Sequence, residues 1–335
     1  MRVIQAVRFG GPEVLVAGEL PDPAAGPGQV VVDVKVAGLT FVETQIRRGA
    51  DRWHERPSLP YVPGGLVAGH VSALGAGVDP AWLGLRVLAG TGETGGFAER
   101  AVALAGALFP VPDGLGLPEA VALYSDGSTA QGLVERAGVG PGDRVLVEAA
   151  AGGVGHLLVQ LALAAGAQVV GTARGSRKLA LIRRLGAVAV DYSAPDWTRQ
   201  VREATGGAGP TVVFDGVGGR IGQAAFGTTA RGGRFSIHGA SSGDVTHIDP
   251  AAARDRGVEV IGIGQLAGFG PHLTRWARQI MSHAAAGLVR PVIGQTFPLD
   301  HAARAHAVVE NRTTIGKTLL LIDTPAGAPR PDLPG

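Results

Sequence analysis

The chain has 335 residues, 45% hydrophobic and 17% charged, with 54 Gly, 22 Pro and no Cys, the profile of a globular chain of about two domains rather than a disordered tail or a collagen. A chain this long removes about three-quarters of its unfolded surface from water and needs no staples; without cysteine, disulfides, thiolate zinc sites and thiol catalysis are excluded. Thirty basic against 28 acidic side chains leave a net charge of +2 with no long basic patch, so nucleic acid is not expected as the main partner.

From Met1 to about Val121 the chain reads as short β-branched stretches broken by Gly and Pro: VVVDVKVAG, GHVSALGAGV, RVLAG and FAERAVAL. Turn chemistry flanks each of them, which predicts a β-rich, barrel-like first domain. From about Ala122 apolar strands alternate with Ala/Leu/Arg helices: RVLVEAA, QVVGTAR, AVAVDY, TVVFDGVGG and GRFSIHG, with a helical stretch between each strand and the next. Repeated strand and helix means an α/β domain with a doubly wound parallel sheet. After about Gly264 come a helix, HLTRWARQIMSHAAAGL, and two closing strands, PVIGQTFPL and GKTLLLID, expected to return to the first domain. The Pro/Gly-rich end, residues 326–335, reads as a loose tail. No run of about 18 apolar residues is present, and a soluble, cytoplasmic protein is expected.

The strongest local signal is residues 145–155, VLVEAAAGGVG, followed by HLLVQLALAAGA. A buried strand runs through a small-residue turn into a helix whose apolar stripe is Val154, Leu157, Leu158, Leu161, Ala162 and Ala165. Gly152 and Gly153 let a dinucleotide's pyrophosphate approach the backbone, Gly155 permits close packing of helix on strand, and the helix N-terminus offers N–H groups to the anion. Ala150 replaces the usual first Gly. The second strand ends about 20 residues further on, where an NAD site would carry an acid for the ribose 2′-hydroxyl. The chain has Ala173-Arg174-Gly175-Ser176-Arg177-Lys178 there instead. Cations and a hydroxyl suit the charge-assisted hydrogen bonds of a 2′-phosphate, so NADPH is expected over NADH.

To about Asp323 the chain resembles the zinc-free quinone oxidoreductase, or zeta-crystallin-like, branch of the medium-chain dehydrogenase/reductase superfamily. The resemblance rests on FGGPEVL at 9–15, AGLTFVE at 37–43 with Arg47 and Gly49, VPG at 62–64, GGFAE at 95–99, AAGGVG at 150–155, Lys178, Asp191-Tyr192 and FDGVG at 214–218. It implies a GroES-like catalytic domain from residues 1–122 and 265–325, a Rossmann domain at 123–264, a cleft between them and a homodimer joined through the Rossmann sheets. It further implies that Gly152, Gly153, Val154 and Gly155 hold the pyrophosphate, that Ser176, Lys178 and Arg312 surround the 2′-phosphate with help from Arg174 and Arg177, and that Tyr192 lies near the adenosine. Thr129 and Thr40 would lie near the nicotinamide, and Val217, Gly239, Ala240, Ser241, Ile263 and Gly264 would line the cofactor groove.

The departures from the family pattern matter as much. Zinc-dependent relatives have a Cys where this chain has Thr40 and an acid where it has Leu66, so the metal site has lost ligands. His70 stands alone in the nearest strand, and His301 and His306 read as helical surface. Quinone reductases carry Asn, Asp and Tyr where Thr40, Glu43 and Gln45 stand here, and enoyl-thioester reductases place a proton-donating Tyr where this chain has Asp51. With no metal to polarise a carbonyl, an activated acceptor is expected: a quinone or an α,β-unsaturated carbonyl, whose reduction gives a delocalised phenolate or enolate. Thr40 is the foremost candidate donor, with Gln45 and Tyr124 beyond it; Asp51 and Glu43 would serve as acid or base where burial raises their pKa. The alternatives are an enoyl or enone reductase, a pathway-specific tailoring reductase or cyclase, and a non-catalytic NADPH-binding structural or sensor protein.

Overall fold

A computed structural model describes residues 1–92 and 94–322; the expected loose tail at 326–335 lies outside them. The chain divides into two compact units, Met1–Ser125 with the described residues from Ile293 on, and Asp126–Val292.

The first unit starts with strands β1 (Arg2–Ala6), β2 (Leu15–Glu19) and β3 (Gln29–Leu39), helix α1 (Phe41–Arg48), strands β4 (Leu66–Leu74), β5 (Arg86–Gly90), β6 (Arg100–Leu104) and β7 (Leu108–Pro110), and helix α2 (Leu117–Ala122). The second unit contributes, in chain order, α3 (Ser128–Ala137), β8 (Arg144–Val147), α4 (Gly153–Ala164), β9 (Gln168–Ala173), α5 (Ser176–Arg184), β10 (Val188–Asp191), α6 (Trp197–Ala204), β11 (Val212–Asp215), α7 (Gly219–Thr228), β12 (Arg234–Ile237), α8 (Pro250–Arg256), β13 (Glu259–Ile261) and α9 (Leu273–Ala285). The chain then closes the first unit with β14 (Ile293–Pro298), α10 (Ala302–Glu310) and β15 (Lys317–Leu321).

In the first unit a seven-stranded sheet runs β14-β15-β3-β4-β5-β7, with β6 also on β3. Strand β3 is its axis because Val30, Val32 and Val34 alternate into the core with Val67, Val71 and Val87, the period-2 pattern of a strand packed on one face. The β3–β4 register slips twice, and there a Cβ on Gly69 would lie 2.0 Å from the carbonyl oxygen of Asp33. Helix α1 starts from a capping box: the Thr40 hydroxyl accepts from the Glu43 N–H, and the Glu43 carboxylate accepts from the Thr40 N–H, satisfying two groups that a helix start otherwise leaves bare. It stops at Gly49, with φ 71°.

His306 is not on the surface as its helical spacing suggested. It is fully buried on α10, edge-on to Phe97, and burial pushes its pKa down to about 3, helped by the charge of Arg47. Arg47 is itself buried and pairs with Glu310. A helix period shows that a histidine lies on one stripe; here the stripe faces the sheet.

In the second unit six parallel strands run β10-β9-β8-β11-β12-β13. The chain winds outward one way from β8 and then restarts at β11 on its other side, which makes the carboxyl ends of β8 and β11 the switch point where ligands bind in such sheets. The helix α9 was expected with the first unit, yet it belongs here, because residues 265–292 cluster with the parallel sheet. Its Trp276 is buried against α3 and donates from Nε1 to Glu135 at 3.0 Å, while Arg275 grips the same carboxylate with two 2.7 Å bonds. Those bonds, foremost the ones from Arg275, hold the Glu135 pKa down to about 2.

A Cβ on Gly132 would lie 2.7 Å from the Trp276 ring. Gly132→Ala is therefore expected to force the two helices apart and cost about 1–3 kcal/mol, read as a lower midpoint in urea unfolding followed by tryptophan fluorescence; an unshifted midpoint would refute the tight α3–α9 contact.

Candidate active site

In the second unit the strand β8 ends at Val147, and residues 148–152 turn the chain into α4. Ala149 takes a left-handed φ of 47°, a conformation that costs an L-residue energy and is held by its surroundings. The reason is the closeness of helix and turn: a Cβ on Gly155 would lie 2.3 Å from the carbonyl oxygen of Ala149, so no side chain fits at that position. His156 fastens the turn. Its Nε2 accepts from the Val292 N–H at 2.9 Å, which leaves Nδ1 as the protonated nitrogen, 2.8 Å from the carbonyl oxygen of Gly152. The first turn of α4, with Gly152, Gly153, Val154 and Gly155, thus presents bare backbone where a pyrophosphate would sit. A Cβ on Gly153 would lie 2.1 Å from the Asp126 carboxylate, so an acid packs against this first turn, a feature that the spacing of the glycines did not reveal.

The basic segment lies where the strand pattern put it. Arg174, Ser176 and Arg177 are exposed and Lys178 half-buried in the turn from β9 into α5. Gly175, with φ 94°, donates to the Asp191 carboxylate at 3.4 Å. Tyr192 follows on, its N–H bonded to the carbonyl of Ala173. Val217 and the 239–241 segment come together at the carboxyl ends of β11 and β12: the Ser242 N–H bonds to the Val217 carbonyl at 2.8 Å and the Ser241 N–H to that of Gly216 at 3.4 Å. Ile263 and Gly264 open a short 3-10 turn after β13, and Thr129 stands in the first turn of α3. Arg312 belongs to the first unit, in a left-handed conformation with φ 55° just after α10.

The same carboxyl edge of the sheet carries a polar cluster that sequence reasoning missed. Glu148, Asp215 and His238 follow or end three neighbouring strands, β8, β11 and β12; Glu148 and Asp215 are buried and His238 is half-buried. Asp215 accepts from the N–H groups of Val217 and Gly218 at 3.1 and 2.7 Å and from the Thr246 hydroxyl at 2.5 Å. Among the described residues neither Glu148 oxygen has a hydrogen bond of good geometry; the groups facing it are the Val217 N–H and the Asp215 carboxylate, and a proton on Glu148 lets it donate to Asp215. Burial first, then the Asp215 charge, pushes the Glu148 pKa well above the usual carboxylate range. Burial pulls His238 down to about 4 against the attraction of Asp215.

In the first unit a cavity of about 330 Å³ is lined by Thr40, Glu43, His54, Leu66, Ser125 and Lys317, among others. The Lys317 side chain, on β15, is buried, and its Nζ lies 3.3 Å from the Ser125 hydroxyl oxygen. Glu43 is raised above its usual pKa by burial, opposed by the Thr40 N–H, the Lys317 charge, the Thr40 hydroxyl and the Gly65 N–H. Of the expected catalytic residues Thr40 lines this cavity, but its hydroxyl is engaged, donating to Glu43 at 3.0 Å while accepting from the Glu43 N–H. Gln45 instead donates to the Thr44 hydroxyl at 3.0 Å, and Tyr124 packs edge-on against Phe109. Asp51 lines a smaller adjoining cavity, where it bonds His54. Lys317, Ser125 and His54 had no motif to announce them, since strand register and loop closure bring them together. Among the described residues no group of three or more His, Asp or Glu is placed to hold a metal ion.

Residues 26–113 match the alcohol dehydrogenase GroES-like domain, and residues 153–274 match the zinc-binding dehydrogenase family. The chain is 34% identical over 323 residues to a quinone oxidoreductase of Pseudomonas aeruginosa, covering 95% of this chain and 98% of that one. It superposes with a TM-score of 0.87 on a quinone oxidoreductase of Escherichia coli complexed with NADPH, at 29% identity over 96% of this chain and 100% of that one. A structure described as an NAD-dependent alcohol dehydrogenase superposes with a TM-score of 0.85, at 33% identity and with 96% and 100% coverage. The chain belongs to the quinone oxidoreductase branch of the medium-chain dehydrogenase/reductase superfamily.

The Glu148 carboxyl holds its proton more tightly in the fold than in the unfolded chain. As pH rises through the ordinary glutamate range only the unfolded chain releases that proton, so folding stability falls, by up to about 1.4 kcal/mol per pH unit. Glu148→Gln keeps a donor toward Asp215 and cannot ionise. It is expected to gain stability over the wild type between about pH 5 and about pH 8 in urea titrations; parallel stability curves for the two proteins would show that no shared proton exists.

Proposed function

We propose that the chain is a cytoplasmic, homodimeric, zinc-independent reductase that takes NADPH and transfers its reducing equivalents to a quinone or another conjugated carbonyl. The observation that carries the cofactor is the pairing of two features in one unit: a helix start shaped for a pyrophosphate, with no room for a Cβ at Gly155, and an Arg174-Gly175-Ser176-Arg177-Lys178 turn at the end of β9 where an NAD site would carry an acid. The likeness to the NADPH complex of the Escherichia coli enzyme supports the same choice. Gly152 to Gly155 would hold the pyrophosphate, Arg174, Ser176, Arg177 and Lys178 the 2′-phosphate, and the 215–218 and 239–241 turns the nicotinamide half. Bound there, the nicotinamide supplies a hydride.

The cavity of the first unit is the acceptor site in this reading. Its buried cation, Lys317, is the group suited to stabilise oxygen charge that develops on a quinone or enone, because a charge in a water-poor site is worth far more than in bulk water. Thr40, tied to Glu43, shapes the wall instead of donating to the acceptor. Where a zinc enzyme would hold its metal the side chains are those of Thr40 and Leu66, neither of them a zinc ligand of the usual kind. The exposed strand β13, which ends the parallel sheet with no strand beyond it among the described residues, suits pairing with the same edge of a second copy. No helix among the described residues is long and apolar enough to cross a membrane.

Replacing Arg174 and Lys178 by Ala is expected to weaken NADPH, at about 1.5–3 kcal/mol per lost charged hydrogen bond, and to leave NADH unchanged; equal constants for the variant and wild type in calorimetry would refute the 2′-phosphate site. Lys317→Met is expected to lower kcat with 1,4-benzoquinone about 10²-fold with NADPH affinity intact, and an unchanged kcat would remove Lys317 from the reaction. Quinones are expected to be reduced faster than 2-alkenals, and the reverse order in NADPH oxidation assays would make the chain an enone reductase.

A further inference from the structure

Among the residues lining the acceptor cavity is an imidazole held by a carboxylate. His54 lines the cavity of about 330 Å³ and also the small one beside it. One oxygen of Asp51, Oδ2, accepts the Trp53 N–H at 3.0 Å and the His54 N–H at 2.7 Å, and lies 3.0 Å from His54 Nδ1. An ionised carboxylate only accepts, so Nδ1 carries a proton and the second nitrogen, Nε2, is the one left for exchange. The Asp51 side chain is 6% exposed and that of His54 is 38% exposed, so the carboxylate is fixed while the ring reaches both protein and water. A carboxylate that orients an imidazole, which in turn borders a substrate-sized space, is the arrangement of a general acid or base and its orienting partner.

We propose that His54 is the proton donor to the reduced acceptor, with Asp51 as its positioning residue. The proposal rests on the reductase reading above. Once the acceptor has gained the hydride, the electron pair of its conjugated system lies on the carbonyl oxygen as an enolate or phenolate. The Nε2–H bond of the His54 imidazolium breaks, the proton bonds to that oxygen, and the electron pair stays on Nε2, so that the product leaves as a neutral enol or hydroquinone and His54 as a neutral imidazole. Water at the cavity mouth restores the proton. Asp51 accepts from Nδ1 throughout and holds the ring in place. The other charged groups bordering the two cavities are Glu43 and Lys317 in the larger and Glu55 and Arg56 in the smaller.

The assignment also sets a substrate dependence. A hydroquinone monoanion is stable enough to leave and take its proton from water, whereas an enolate is a much stronger base and needs the proton at once. His54→Gln is therefore expected to lower kcat for a 2-alkenal about 10²-fold and for 1,4-benzoquinone by less than about tenfold, with the NADPH dissociation constant unchanged as the check on folding. A fall of kcat with rising pH is the expected wild-type behaviour and should be lost in His54→Gln, and Asp51→Asn, which loosens the ring, is expected to lower kcat for the 2-alkenal with the NADPH dissociation constant unchanged. Equal losses for both acceptors, or an unaltered pH profile, would overturn the proposal. An independent arm uses no turnover: in ¹⁵N spectra of the whole protein the His54 Nε2 resonance should move when hydroquinone is added, and a resonance indifferent to hydroquinone overturns the assignment. Should the wild type fail to oxidise NADPH with any quinone or enone offered, the reductase reading falls, while the ¹⁵N arm still decides His54.

Discussion

The second unit depends on one close approach: the backbone of α4 passes so near the end of β8 that the space for a side chain at Gly155 is taken by the Ala149 carbonyl. That contact holds Ala149 left-handed, aims the first turn of α4 along the carboxyl edge of the sheet, and leaves its N–H groups uncovered for an anion. His156 supports the arrangement from inside, joining the Gly152 carbonyl to the Val292 backbone through one neutral ring. The cofactor reading therefore rests on a steric fact about one position, and the basic turn after β9 only selects which nucleotide suits it.

A comparable economy holds in the first unit, where Glu43 serves two structures at once. Its carboxylate closes the capping box of α1 through Thr40 and also accepts the Gly65 N–H at 3.1 Å, tying the helix start to the segment leading into β4. The cost is a buried carboxyl that resists ionisation, offset by three donors and by the charge of Lys317. Because Thr40 spends its proton on Glu43, the hydroxyl that looked best placed by motif is committed to structure. The cation and the imidazole around the cavity come instead from β15, hundreds of residues away in sequence, and from the loop after α1.

Periodicity made most of the fold legible. Alternation of valines marks β3, and strand–helix repetition marks the parallel sheet together with the turn at Gly152 to Gly155. The sixth strand escaped because Glu259–Ile261 is three residues long and largely exposed, too short for any period. The α9 helix was assigned to the wrong unit because its apolar stripe says only that it packs, and Gly132, which admits Trp276 to α3, lies more than a hundred residues earlier. His306 shows the same limit, since one stripe of α10 and its opposite look alike until the sheet chooses between them.

The site was legible only where chemistry is local in sequence. The phosphate turn and the basic segment are each a run of neighbours, and their geometry follows from strand, turn and helix alone. The trio Glu148, Asp215 and His238 is assembled by strand order, because adjacent parallel strands bring their carboxyl ends together whatever the spacing along the chain. Two carboxyls placed there are stable with a proton on Glu148, and the partner that accepts it, Asp215, is the same group that clasps the Val217 and Gly218 amides. The protonation of a residue beneath the sheet edge is in this way coupled to the shape of the turn that would meet the nicotinamide. Ionising Glu148 would set its charge against Asp215, the carboxylate that holds that turn.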